Sequence, residues 1–249
     1  MTHFLPPTVQ KPSDFKNLTK DAQKPYKIRV KHITTTKKIP DESQIRDQFE
    51  TPNYAVDILV PFIPKGITHI WEPAAGGLKI SNRLKYHNYD VWSSDIRFSL
   101  ESYDNTYGNF VGNYLPTWWK YEFNRDSFAI VTNPPFSIKD LFIEKAFEYG
   151  VPFAFLINMD YSGQSIKWIE RGLEKIIPRS RIAYITPRIV QRVNEGEGTN
   201  FQTKDEIPSP LIYKYSSSQF HSGWFCYKFN LGKTETFVDL PVDVRKNNI

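Results

Sequence analysis

Asn133-Pro134-Pro135-Phe136 combines a carboxamide, two residues of fixed φ that donate no backbone hydrogen bond, and an aromatic ring. The prolines keep the chain stiff and leave the neighbouring carbonyls free to accept. A stiff array of acceptors followed by an aromatic face suits a flat base that carries an amino group. Taken alone, the tetrapeptide is equally well a turn that ends a strand, because Asn and Pro are common turn residues. A second group upstream shifts the balance. Glu72-Pro73-Ala74-Ala75-Gly76-Gly77 runs from acidic to small to glycine-rich, and Asp95 follows Gly76 by nineteen residues. That is close to the spacing at which an acid meets ribose hydroxyls in doubly wound nucleotide-binding folds. A Gly-Gly pair or a strand-end acid means little by itself; their order and spacing together point to a nucleotide-like ligand beside a pocket for an amine.

These residues need elements that present them at one edge of a sheet. The apolar, β-rich run Phe128-Ala129-Ile130-Val131-Thr132 predicts a strand that stops at the first proline. Residues 67–72 predict a strand entering the glycine turn, and Ile80 and Leu84, four apart, predict a helix over 79–88. A strand over 89–95 then carries Asp95 at its end. Downstream, the pattern predicts a helix over 138–150 with Leu141, Phe142, Ala146 and Phe147 facing inward, and a buried strand over 151–159. It further predicts a helix over 165–176 and strands over 181–186, 211–215 and 224–230. The alternation predicts an α/β fold, Rossmann-like, with a mostly parallel central sheet flanked by helices. Residues 188–210 are polar and read as a mobile loop that could contact substrate, with Arg188, Arg192 and Lys204 as phosphate contacts.

The chain has 249 residues, room for one sizeable α/β domain over 49–249 and an extension over 1–48. The extension holds ten basic and five acidic residues, whereas the other 201 residues balance 22 against 22, so it carries the whole net charge of +5. Within it, Lys24, Lys27, Arg29, Lys31, Lys37 and Lys38 interleave with Tyr26, Ile28, Val30 and Ile33, as in an arm that meets phosphates. Its first two dozen residues, with Pro6, Pro7 and Pro12, are expected to be poorly ordered. There is no run of eighteen apolar residues, so no membrane partner is expected, and no apolar signal core is present. Cys226 is the single cysteine and sits in an apolar run, which reads as a core residue in a reducing cytoplasm. His3, His32, His69, His87 and His221 are scattered without metal-ligand spacing, so no metal is expected.

On Glu72 to Gly76 and Asn133 to Phe136, the chain resembles the S-adenosylmethionine-dependent amino-methyltransferases, in particular the DNA adenine-N6 methyltransferases common in bacteriophages and bacteria. The resemblance spans about residues 49–229 and implies the class I methyltransferase form of the Rossmann-like fold. It implies that Asn133, Pro134, Pro135 and Phe136 are catalytic, with Phe136 stacking on the target base. It also implies that Phe49, Thr51 and Pro52 close over the cofactor's methionine part, that Glu72, Pro73, Ala74 and Gly76 form the cofactor turn, and that Asp95 holds the ribose. Ile96 is then expected against the cofactor's adenine, with Asn113 and Tyr114 in the next motif. Two positions depart from the family pattern: Leu78 stands where a second glycine is usual, and Asn113 stands where an acid is usual. The implied function is methylation of adenine in DNA. Amines of RNA, a glutamine amide of protein, or a catalytically silent nucleic-acid-binding subunit are the alternatives.

Overall fold

The computed structural model of the protein describes residues 49–97, 105–112, 124–216 and 220–241. The basic arm, Asn113 and Tyr114 lie outside these residues. The strands are β1 (His69–Glu72), β2 (Asp90–Asp95), β3 (Asn105–Tyr107), β4 (Phe128–Thr132), β5 (Phe153–Asn158), β6 (Leu173–Pro178), β7 (Ser222–Tyr227) and β8 (Glu235–Val238). They form one sheet in the order β3-β2-β1-β4-β5-β7-β6-β8. β7 runs antiparallel to β5 and β6, and the other paired strands are parallel.

The central strands are apolar on both faces, as a sheet covered on both sides requires. In β4 and β5, Ala129, Val131, Ala154 and Leu156 face one way. There they meet Tyr54 and Val56 of α1 (Asn53–Asp57) and Ile80 and Leu84 of α2 (Lys79–Tyr86). Phe128, Ile130, Phe153 and Phe155 face the other way, against Phe142, Ile143 and Ala146 of α3 (Lys139–Tyr149) and Trp168 of α4 (Gly163–Glu170). Cys226 is fully buried in the first of these layers, as expected.

Five local expectations fail. The helix expected over 165–176 ends at Glu170, and Gly172, at φ +95°, turns the chain into β6. Ile176 and Ile177 belong to that strand because β7 and β8 flank it. Residues 211–215 form helix α6 (Ser209–Tyr215), whose first turn contains Pro210, a favoured position for proline. Residues 181–186 make no strand, only isolated bridges at Tyr184 and Ile185, the latter with Glu50. The expected loop over 188–210 contains helix α5 (Ile189–Glu197) and a short 3-10 turn at Lys204–Glu206. Ile189 and Val193, four apart, are buried with Ile207 in a small cluster that Leu211 and Ile212 of α6 cover. In α3 the inward position falls to Ile143, while Leu141 is 45% exposed.

Candidate active site

β1 leads through α2 to β2 on one side, whereas β4 leads through α3 to β5 on the other. Strand ends diverge at such a switch point and leave a crevice beyond their carboxyl ends. Here it is a cleft of about 360 Å³. Glu72, Asp95 and Asn133 all stand at it, brought by the ends of β1, β2 and β4.

The floor is the β1–α2 turn, with Ala74, Ala75, Gly76 and Gly77 in the lining. Gly76 has φ +52° and Leu78 has φ +61°, so a leucine occupies a left-handed conformation that glycine adopts without cost. Glu72 is 2% exposed and accepts from the Ser81 amide at 2.8 Å and from the Ser81 hydroxyl, which also meets Ser93 Oγ at 2.6 Å. Burial pushes its carboxyl up to about 8, against the opposing effect of the Ser81 hydrogen bonds. Glu72 therefore anchors the start of α2 to the end of β1 as a largely neutral acid.

Asp95, 1% exposed, accepts from the Gly76 amide at 2.9 Å, tying the end of β2 to the glycine turn. The same carboxylate accepts from the Arg97 amide at 2.9 Å and from its guanidinium at 2.9 and 3.3 Å. The Asp95 hydrogen bond in turn holds the Arg97 guanidinium above its usual range.

Asn133 Nδ2 donates to Thr51 Oγ1 at 3.1 Å and to the Phe49 carbonyl at 3.5 Å. A carbonyl can only accept, so the nitrogen of the amide must face it and the orientation is settled. Asn133 Oδ1 is left buried with no hydrogen-bond partner. Glu50, between these two residues, exchanges backbone hydrogen bonds of 3.0 and 3.2 Å with Ile185. The strap of residues 49–51 thus joins the end of β4 to the segment between β6 and β7.

Of the residues named from sequence, Phe49, Thr51, Glu72, Ala74, Gly76, Asp95, Asn133 and Pro135 line the cleft together. Pro52, Pro73, Ile96, Pro134 and Phe136 are outside the lining, each next in sequence to a residue within it. Phe136 packs edge-on against Phe49 at 6.4 Å, Tyr184 at 6.4 Å and Phe220 at 5.1 Å between ring centroids. Sequence reasoning missed Glu50, Lys79, Arg97 and the far wall made by Ile185, Thr186, Pro187, Ile189 and Val190. Lys204, expected as a phosphate contact, lines the cleft and pairs with Glu50. The missed residues' only signal in the sequence is adjacency to named residues: Arg97 stands two after Asp95, and Glu50 lies between Phe49 and Thr51.

The reversed β7 between β5 and β6, in the order β3-β2-β1-β4-β5-β7-β6, makes this the Rossmann-like class I methyltransferase fold. No protein-family model and no curated protein matches the sequence. Among solved structures, a candidate class I S-adenosylmethionine-dependent methyltransferase from Listeria monocytogenes is similar at 13% identity and TM-score 0.45, over 94% of this chain and 81% of that one. A predicted O-methyltransferase from Agrobacterium tumefaciens is similar at 11% identity and TM-score 0.38, over 79% and 96% of the two chains. The type IIG restriction endonuclease BpuSI is similar at 12% identity and TM-score 0.37, over 76% of this chain and 25% of its own. These are likenesses of outline and carry nothing about substrate. Among the described residues no helix is long and apolar enough to cross a membrane, and no cluster of side chains could hold a metal ion.

Proposed function

We propose that the protein methylates the N6 amine of adenine in DNA, with S-adenosylmethionine as cofactor. The observation that carries the reading is Asn133 Oδ1, a buried acceptor without a donor at the end of β4. A buried polar atom left unpaired costs roughly 1–3 kcal/mol, which a ligand's N–H would recover. The cleft also fits the cofactor: the glycine turn admits close backbone approach, Asp95 is an acceptor for a diol, and Phe49 and Thr51 share the lining. When bound, S-adenosylmethionine supplies a methyl group on a cationic sulfur that is already a good leaving group.

The chain's own part is alignment. Asn133 Oδ1 and the Pro134 carbonyl accept the two hydrogens of the amine, which turns the nitrogen lone pair away from them. Thr51 and Phe49 hold the Asn133 side chain in that orientation before any ligand arrives. An amide oxygen is too weak a base to keep a proton, so the proton displaced from the amine leaves to water. Holding the reacting groups in line supplies most of the acceleration in such a site. Phe136 offers a ring to the base, which is swung out of a duplex or taken from a single strand.

The test is incubation with methyl-labelled cofactor and, separately, unmethylated DNA, RNA and protein extract, with the labelled unit then identified. N6-methyladenine from DNA is the expected product. Label confined to RNA or to a glutamine amide would reject the DNA substrate and keep the site chemistry.

A further inference from the structure

The floor of the cleft is covered by two of the protein's own charged side chains. A Cβ built on Gly76 would stand 3.0 Å from Arg97 Nη2, and one built on Gly77 would stand 3.1 Å from Glu50 Oε1. Arg97 lies across the turn to reach Asp95. Glu50 is held by Lys204 and, at 3.9 Å, by Lys79.

A carboxylate offers about four lone-pair sites. Those of Asp95 meet the amides of Gly76 and Arg97 and two guanidinium nitrogens of Arg97. The amides are fixed by the turn and the strand end. The guanidinium is the movable pair, since the Arg97 side chain is 49% exposed while that of Asp95 is 2% exposed. Among these donors the guanidinium is the one that a diol taking Asp95 as its acceptor would displace, leaving the amides in place.

We propose that Arg97 is a gate residue of this cleft: its guanidinium holds the Asp95 carboxylate in the ligand-free protein and gives it up to the ribose hydroxyls of the cofactor. This rests on the reading of the cleft as a cofactor site. A contact made only in the free state opposes binding, so its removal destabilises the free protein and tightens the complex. A residue that contacts the ligand would behave in the opposite way. The gate also accounts for a cation poised over Gly76.

The experiment is titration of wild type, Arg97→Ala and Arg97→Lys with S-adenosylmethionine by calorimetry, together with the thermal midpoint of each protein alone. For Arg97→Ala the gate requires a lower midpoint without ligand and a Kd about three- to tenfold smaller than wild type. Arg97→Lys, which keeps the charge without the fork of two donors, should fall between. Wild-type binding with an equal or larger Kd for Arg97→Ala would overturn the gate and leave the cofactor reading intact. Absence of binding by all three proteins would overturn both.

Discussion

Asn133 keeps one amide atom, Oδ1, buried without a donor, while the other end of the same amide is pinned to Thr51 and Phe49. Asn133→Ala is expected to lower methyl transfer by about 10²-fold or more, the scale for removing one aligned polar group from a transition state. Its cofactor Kd should stay within about twofold, because alignment of the amine is a separate task from holding the cofactor. Calorimetry and single-turnover label transfer on one preparation check both. Glu72 makes a prediction about pH. Its carboxyl is raised from 4.5 to about 8 in the folded protein. Above its unfolded value, folding therefore requires proton uptake at this site. The stability Glu72 contributes is full below pH 4.5, falls as pH rises toward 8 and is lost above that. Glu72→Gln, neutral at every pH and still able to accept from Ser81, should flatten that slope in denaturant melts taken between these limits.

At the scale of elements, the β1–α2 turn holds Leu78 at φ +61°, ψ +19°, as the residue before α2. A side chain in this region costs roughly 1 kcal/mol relative to glycine. Leu78→Gly and Leu78→Ala lose nearly the same apolar contact, so comparing them isolates the backbone. We expect the Gly variant to be the more stable by about 0.5–1 kcal/mol in urea, the reverse of the ranking inside a helix. Leu78 thus holds a strained backbone while Gly76 presents its amide to Asp95. The same element shows how local chemistry and long-range contact combine. Ser81 is one turn into α2, yet its partners Glu72 and Ser93 come from β1 and β2.

For the whole molecule, charge is partitioned: residues 49–249 balance 22 basic against 22 acidic side chains, and residues 1–48 carry the excess. Nucleic-acid affinity supplied by such an arm falls steeply with salt, because phosphate contacts release counterions. Removal of residues 1–48 should therefore weaken DNA binding at low salt and flatten the slope of log K against log salt, with cofactor Kd unchanged. A filter or anisotropy titration over several salt concentrations reads this directly. The sheet and most of the site were legible because their signals are local. Continuous apolar runs marked β4 and β5, the prolines closed β4 at Thr132, and the glycine turn with Asp95 nineteen residues on announced the crevice. What tertiary structure alone decided has no local signal. Ile176 joins β6 because β7 and β8 flank that segment, and the helices at 189–197 and 209–215 are stabilised by burying Ile189 and Val193 against each other's neighbours. The far wall of the cleft, the Glu50–Ile185 bridge and the Glu50–Lys204 pair join residues more than 100 positions apart. Sequence by itself determined which chemical groups end the strands; only the packed fold decided which of them stay paired and that Asn133 Oδ1, at the end of β4, is buried without a donor.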